Sequence, residues 1–301
     1  MSGGDVSENE TVRFAAGAAT AAFEFGGSSD RGSVRRINED SFLARPPVFV
    51  VADGMGGHSH GDRASQTAIA VFSRRFGDAA PARPDDVLAA IREANDDVLA
   101  LAGSGESLSG TTLAGVAFVA VSPAGGYHWM AFNVGDSRVY RWDGRSLTQL
   151  SVDHSVVQEL VDAGVLSRGE AERHPDRNVV TRALGADSDV DPDIWLLPAD
   201  GRQTFLICSD GLTKELSDDE IARIIVFHAT LSLGDELAMS LSERLVRAAV
   251  AAGGSDNVTA VVVEADVANI RADPTADDGA DDDTIDRRGV SRHLEDTSPR
   301  R

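Results

Sequence analysis

Apolar residues along the body of the chain follow two periods, which predict both strands and helices. Short apolar runs predict strands at residues 48–52 and in the runs TTLAGVAFVAV and YHWMAFNVGD, which a Pro- and Gly-containing turn joins. Helical spacing of apolar residues predicts helices at 62–76 and 85–102. The segment SRVYRWDGRSLTQL predicts a hairpin that turns at Asp143 and Gly144.

The second half of the body continues the alternation of strands and helices. It predicts helices at 155–163, 218–227 and 233–252, strands at 204–209 and 258–264, and an irregular, Arg-rich segment at 166–193. Strands therefore come as hairpins and helices as separate pairs. This order favours an α+β fold, with antiparallel sheets covered by helices, over a doubly wound parallel sheet.

Composition divides the chain into three parts. Residues 1–22 are rich in Gly, Ala and Glu with little pattern, which predicts a flexible leader. Residues 23–265 form the patterned domain. Residues 266–301 hold ten acids and six arginines, which predicts a disordered acidic tail.

Charge and cysteine content narrow the function classes. A formal net charge of −21 argues against nucleic acid and anionic membrane surfaces as partners, because both require clustered Lys and Arg. The single cysteine, Cys208, allows no internal disulfide. We see neither an apolar run of membrane-spanning length nor a signal peptide, so we expect a cytoplasmic protein, without membrane insertion and monomeric.

Acidic residues recur where apolar strands end, beside small or turn residues. Asp53, Asp136 and Asp210 each follow an apolar run, Asp256 precedes one, and the pair Glu39 and Asp40 precedes a short one. A single such acid is usually a turn or cap residue, but several at one end of a sheet repel one another unless a cation lies between them. Oxygen ligands of this kind suit Mg²⁺ or Mn²⁺.

Two neighbouring residues indicate a further metal ligand and a group that binds the substrate. Gly54, directly after Asp53, lets the backbone approach closely enough for its carbonyl to join the ligands. Arg35 lies four residues before Glu39, where a guanidinium suits bidentate binding of phosphate. Metal, carboxylate and arginine together indicate phosphoester chemistry.

Eight short motifs together resemble the bacterial form of the metal-dependent protein serine/threonine phosphatases of the type 2C family. They occur in the family's order over residues 23–264: SDRGSVRRINEDS, VVADGMGGH, SGTTL, NVGDSRVY, DHS, VVTRALG, CSDGLTKEL and SDNVTAVVV. The resemblance implies a four-layer α-β-β-α sandwich with two antiparallel sheets, helices on both outer faces and a flap at about 166–193. It also implies phosphoprotein substrates, among them a protein kinase.

The resemblance further implies a metal centre of two tightly bound ions and a weaker third. Asp53 would bridge the two ions, with the Gly54 carbonyl, Asp210 and Asp256 completing the centre. Glu39 and Asp40 would act through water, and Arg35 would bind phosphate. Asp136 and Asp210 would hold the third ion, with Asn178 of the flap as a weaker match.

The mechanism that the resemblance implies is direct attack on phosphorus by a water that bridges the metals, without a phosphoenzyme. One position departs from the family. Some members have a histidine after the DG pair, proposed as the general acid, where this chain has Met55. His58 lies nearby in sequence, but the resemblance does not assign the general-acid role to it. The sequence therefore does not identify the general acid.

Other readings of the same residues are weaker. Cys208 lacks the arginine six residues later that a cysteine phosphatase requires, since Lys214 stands there. The acids between Asp187 and Asp191 fit neither an aspartyl-phosphate nucleophile nor a calcium loop, and the histidines lack zinc-binding spacing. The main alternative is a weakly active or inactive regulatory domain of the same fold that binds phosphoproteins.

Overall fold

The structure is a computed structural model. It describes residues 12–16, 19–56, 60–77, 80–102, 109–121, 126–231 and 239–268. Among these residues, no helix is both long and apolar enough to cross a membrane.

Two antiparallel sheets form the centre of the domain. The first has the strand order β1-β2-β12-β11-β8-β9, and its members are β1 (Val12–Ala16), β2 (Ala19–Asp30), β8 (Arg138–Trp142), β9 (Leu147–Gln149), β11 (Gly201–Cys208) and β12 (Val258–Ala268). The second has the order β10-β7-β6-β4-β3, and its members are β3 (Asp40–Arg45), β4 (Val48–Gly56), β6 (Leu113–Ala120), β7 (Tyr127–Val134) and β10 (Asp193–Pro198). A short strand, β5 (Ser109–Thr111), pairs with the end of β4.

Helices cover the outer face of each sheet. Those on the second sheet are α1 (Gly61–Arg75) and α2 (Pro84–Ala102). Those on the first sheet are α5 (Asp210–Glu215), α6 (Asp218–Leu231) and α7 (Leu241–Ala252). Two short helices, α3 (Val156–Asp162) and α4 (Arg168–Ala171), lie in the connection between β9 and β10. The predicted four-layer α-β-β-α sandwich is therefore confirmed.

Aromatic side chains fill the space between the two sheets. Phe49 lies at the centre of this layer, with ring centroids of Phe25 at 5.4 Å and of Phe23 and Trp129 at 6.4 Å. Trp129 in turn packs against Phe205 of the opposite sheet at 4.9 Å. Because these rings come from both sheets, they hold the sheets together as one core.

The alternation along β4 assigns its residues to two different layers. Val48, Val50 and Ala52 pack under the helices α1 and α2, whereas Phe49 and Val51 face the opposite sheet. Side chains in a strand point to alternate faces, so the next residue on the inner face is Asp53. The inner face therefore changes from aromatic to acidic at one end of the sandwich.

The structure extends the predicted domain at both ends. Strands β1 and β2 lie partly inside the stretch 1–22 that we expected to be a flexible leader, so that expectation is wrong for the strand residues 12–16 and 19–22. Strand β12 continues to Ala268, past the predicted beginning of the tail at 266. Residues 1–11 and 269–301 lie outside the described residues.

Two other predictions changed in detail. The helix predicted at 233–252 is described as α7 from Leu241, and residues 232–238 lie outside the described part. The segment 166–193 contains α4 and turns, with isolated bridges from Thr111 to Leu184 and from Ser155 to Val180. Its function as a flap stays a prediction.

We predict that Phe49→Ala destabilises the domain by about 3 to 5 kcal/mol, because it leaves a cavity among rings from both sheets. Urea unfolding followed by tryptophan fluorescence measures the change. Val121→Ala, at a side chain that is 44% exposed, is the control and should change stability by less than about 0.5 kcal/mol. A loss below about 1 kcal/mol for Phe49→Ala would contradict the central position of this ring.

Candidate active site

The predicted acids converge at the acidic end of the inter-sheet layer. Asp53 of β4 lies directly opposite Asp40 of β3 in the antiparallel register. Asp210 is the first residue of α5, just after β11, and Asp256 lies just before β12. Asp136 lies in the connection between β7 and β8 and is 8% exposed. Elements from both sheets therefore carry these five carboxylates, and the charges of Asp40, Asp136 and Asp210 all act on Asp53.

Hydroxyl groups line the layer next to the carboxylates. Asp40 Oδ2 accepts hydrogen bonds from Ser209 Oγ at 2.8 Å and from Thr259 Oγ1 at 2.7 Å. Thr112 Oγ1 accepts from the Asp53 backbone N–H at 3.0 Å. These bonds fix the backbone at Asp53 and one oxygen of Asp40, and they leave the other oxygen of Asp40 for another partner.

Burial and mutual repulsion raise the pKa values of these carboxyl groups. Burial, followed by the negative charges of neighbouring acids, raises the pKa of Asp136 to about 7. Burial raises the pKa of Asp40 to about 7, although the hydroxyls of Thr259 and Ser209 oppose the rise. Burial, then the charges of Asp40 and Asp210, raises the pKa of Asp53 well above its usual range. The acids therefore favour either protons or a bound cation.

Unpartnered oxygens show that a cation suits this donor set. In the described part of the chain, Glu39 Oε1, Asp40 Oδ1 and Asp210 Oδ1 are buried without a hydrogen-bond partner. A buried carboxylate oxygen without a partner is costly, and a hard divalent cation satisfies such oxygens. The residues present therefore fit a Mg²⁺ or Mn²⁺ site.

The acidic side chains are arranged around side-chain cations. Among the described residues, no group of three histidine, cysteine or acidic side chains is placed to hold a metal ion as it stands. Two side-chain cations occupy part of the set instead. Lys214 Nζ lies 2.5 Å from Asp210 Oδ2 and 2.8 Å from Asp256 Oδ2.

Arg35 is the second of these two side-chain cations, and it contacts Asp256. Its Nε lies 2.7 Å from Asp256 Oδ1, and its NH2 group donates to Asp256 Oδ2 at 2.9 Å. Burial opposes ionisation of Asp256, yet the hydrogen bond and the charge of Lys214 hold the pKa of Asp256 below its usual range. The predicted phosphate-binding arginine is thus at the site, but it binds a predicted metal ligand.

Close backbone packing explains the bare glycines. A Cβ on Gly54 would lie 2.1 Å from the Gly61 carbonyl oxygen and 2.6 Å from that of Glu39. A Cβ on Gly211 would lie 1.9 Å from the carbonyl oxygen of Asn257. Any other residue at these positions would push apart the elements that carry the acids.

Two residues of the site escaped the sequence prediction. Asn257 Oδ1 accepts from the Glu39 backbone N–H at 2.9 Å, and its Nδ2 donates to the carbonyl oxygens of Arg31 and Ile37, both at 2.9 Å. It therefore fixes the loop that carries Arg35. Lys214 stands four residues after Asp210 on a helix, a spacing that places the two side chains on one face and could have revealed the pair.

The other residues considered from the sequence are Met55, His58, Asn178 and Cys208. Met55 pairs with Gly110 in the β4–β5 ladder, and His58 lies outside the described residues. Asn178 is exposed in the 166–193 segment. Cys208 is fully buried, and burial raises the pKa of its thiol to about 12, which argues against a thiolate nucleophile.

The fold and this site define a known family. The sequence profile described as Protein phosphatase 2C matches residues 34–250. The chain belongs to the protein phosphatase 2C family.

Curated relatives are bacterial protein phosphatases. Serine/threonine phosphatase stp of Listeria monocytogenes is 34% identical over 249 residues, which cover 79% of this chain and 94% of the relative. Serine/threonine protein phosphatase PstP of Mycobacterium tuberculosis is 36% identical over 251 residues, which cover 81% of this chain and 45% of the relative. The chain is accordingly a protein serine/threonine phosphatase.

Solved structures agree with the fold. A crystal structure of M. tuberculosis PstP has a TM-score of 0.70 at 34% identity, over 80% of this chain and 98% of that one. A structure of the PstP catalytic domain in complex with two manganese ions has a TM-score of 0.69 at 34% identity, over 83% of this chain and all of that one. The ions in that relative support a metal-dependent activity.

We predict that the metal-free protein loses stability as pH rises toward 7. A carboxyl whose pKa is about 7 in the folded state and about 4 in the unfolded state favours folding fully below pH 4, and this contribution disappears as pH rises through 7. Between pH 5 and 8, in chelator, wild type should therefore lose roughly 1 to 3 kcal/mol relative to Asp136→Asn.

Urea unfolding at each pH measures this difference. Asp189→Asn, at an exposed position of the 166–193 segment, is the control and should follow wild type. If the free energy of unfolding changed with pH by the same amount in wild type and in Asp136→Asn, the raised pKa of Asp136 would be contradicted.

Proposed function

We propose that the protein hydrolyses phosphoserine and phosphothreonine on proteins, using Mn²⁺ or Mg²⁺ at the acidic end of the inter-sheet layer. The observation that carries this proposal is the set of buried, unpartnered carboxylate oxygens on Glu39, Asp40 and Asp210 beside Asp53. Asp53, the Gly54 carbonyl, Asp210 and Asp256 hold two ions in this proposal. Glu39 and Asp40 act through water.

The bound ions would activate water and neutralise charge on the phosphoryl group. The chain itself supplies orientation. The hydrogen bonds from Ser209 and Thr259 hold Asp40 in place, and the backbone N–H of Thr112 donates to the Asp53 carbonyl at 2.9 Å. Arg35, 49% exposed at the edge of the site, binds the phosphoryl oxygens once it leaves Asp256.

A third, weaker ion completes the proposal. Asp136 and Asp210 are its proposed ligands, and after burial the negative charge of Asp210 is the largest cause that raises the pKa of Asp136. Met55 has no proton to give to the leaving group. We therefore assign the general-acid role, which is protonation of the leaving group, to the Asp136 side of the site. In some family members a histidine is proposed to have this role.

The setting of the activity is also part of the proposal. We propose that the protein is bacterial and cytoplasmic, that it acts as a monomer, and that its substrates are Ser/Thr-phosphorylated proteins, including a protein kinase. The net charge of −21 disfavours nucleic acid as a partner.

We predict that the purified protein dephosphorylates a phosphothreonine peptide with Mn²⁺ and that excess chelator abolishes the reaction. Asp53→Asn and Asp210→Asn should each lower kcat by several orders of magnitude, because each removes a proposed metal ligand. Cys208→Ser is the matched control, a buried substitution outside the metal ligands that should retain turnover per folded molecule.

The same assay separates the enzyme from its alternative. A regulatory domain would bind the phosphopeptide without turnover at any Mn²⁺ concentration. If Asp53→Asn weakened that binding, the cause would be the loss of bound Mn²⁺. Turnover near the wild-type rate in Asp53→Asn or Asp210→Asn would refute the metal-site assignment.

We predict that Asp136→Ala folds and keeps two tightly bound ions but loses most turnover, because it removes only the weak third site. Metal content after dialysis, thermal unfolding and kcat across a Mn²⁺ titration measure the three parts. If Asp136 is only a turn residue, the variant should lose about 1 kcal/mol of stability and keep its kcat, which would contradict the third site.

A further inference from the structure

The chain contains a single lysine, and it lies in the metal site. Of the 28 lysine and arginine residues, the other 27 are arginines, so Lys214 is the one side-chain amine of the sequence. It lies on α5, one helical turn after Asp210. Its side chain is 26% exposed, and its ammonium contacts Asp210 and Asp256 together.

These contacts use the oxygens that a metal ion would need. Asp210 Oδ2 accepts from Lys214, which leaves Oδ1 as the unpartnered oxygen. Both oxygens of Asp256 are occupied, Oδ1 by Arg35 Nε and the Asn257 backbone N–H, and Oδ2 by Arg35 and Lys214. An ion that binds both aspartates must therefore displace donors from Asp256, and the ammonium is the donor that the two aspartates share.

We propose that Lys214 is an internal counter-cation that competes with the catalytic metal ion for Asp210 and Asp256. The inference rests on the proposed function, which assigns these two aspartates to the metal. In the metal-free protein the ammonium neutralises a cluster of buried carboxylates that would otherwise repel one another. When a divalent ion binds, it takes over both oxygens and releases Lys214.

The geometry separates this role from that of an ordinary surface ion pair. Exposed pairs such as Arg223 with Glu220, three residues apart on a helix and 70% and 48% exposed, join one acid to one base at the surface and contribute little. Lys214 instead bridges two acids from different elements, the beginning of α5 and the loop before β12. Asp210 and Asp256 are only partly accessible, with 17% and 15% of their side chains exposed.

The test is metal binding to Lys214→Met, which keeps a long side chain without the charge. Isothermal titration calorimetry with Mn²⁺ should show about tenfold or greater tightening relative to wild type, because hydrogen bonds to charged groups no longer have to be broken. In chelator the same variant should unfold at a lower temperature than wild type, and saturating Mn²⁺ should remove this difference.

Two further variants serve as controls. Arg247→Met removes one positive charge from α7 away from the site and should leave Mn²⁺ affinity within about twofold of wild type. Lys214→Arg keeps a cation on the helix and should keep the weaker affinity. Unchanged or weaker Mn²⁺ binding in Lys214→Met would overturn the proposal.

A second measurement uses the wild-type protein and does not depend on a variant folding. Acetylation by an amine-reactive ester, followed by mass spectrometry of the peptide that contains Lys214, should be faster with Mn²⁺ than with chelator, because the released side chain lies in solvent. A rate that is equal or slower with Mn²⁺ would overturn the proposal. If wild type binds no Mn²⁺, the proposed function fails as well; if wild type binds it and Lys214→Met binds it equally, only this inference fails.

Discussion

Repulsion among carboxylates that are buried together is the constraint on which the rest of the site depends. Asp40 and Asp53 face each other across neighbouring strands at the end of an aromatic layer, where water is scarce. Isolated charges there would be costly, so hydroxyls, a backbone N–H and two side-chain cations contact part of the cluster. These contacts reduce the repulsion at the end where the two sheets meet, and the oxygens that stay unpartnered are the ones that suit a metal ion.

The sandwich was predictable because local pattern and long-range packing agree. The apolar run of β4 and the helical spacing of α1 and α2 depend on neighbours in sequence, and the elements were predicted within a few residues. The first two strands were missed because residues 12–22 have a small-residue composition without alternation, and their place depends on pairing of β2 with β12, more than 200 residues away. Such pairing leaves little local signal.

The acids of the site were predictable for a similar reason, since each stands beside a strand and carries a recognisable motif. What the sequence could not show is which cation each acid meets. Arg35 was expected to bind the phosphate of the substrate, yet in this structure it makes two contacts with Asp256. Lys214 entered the sequence argument only as the wrong residue for a cysteine phosphatase, although its spacing from Asp210 indicates a helical pair. These contacts depend on the approach of α5 to the loop before β12, which only the tertiary structure defines.

The position of Arg35 on Asp256 has a consequence for the order in which ligands bind. In the proposed function, a divalent ion that takes Asp256 as a ligand displaces the guanidinium as well as the ammonium, so metal loading and the appearance of a phosphate receptor become one event. Binding would then be sequential, with the ion first and the phosphorylated side chain second. Thermodynamic linkage makes the effect reciprocal, so that a phosphorylated protein in the site strengthens the hold on the ion by the same factor. At limiting metal concentration, the substrate would thereby help to assemble the centre that cleaves it.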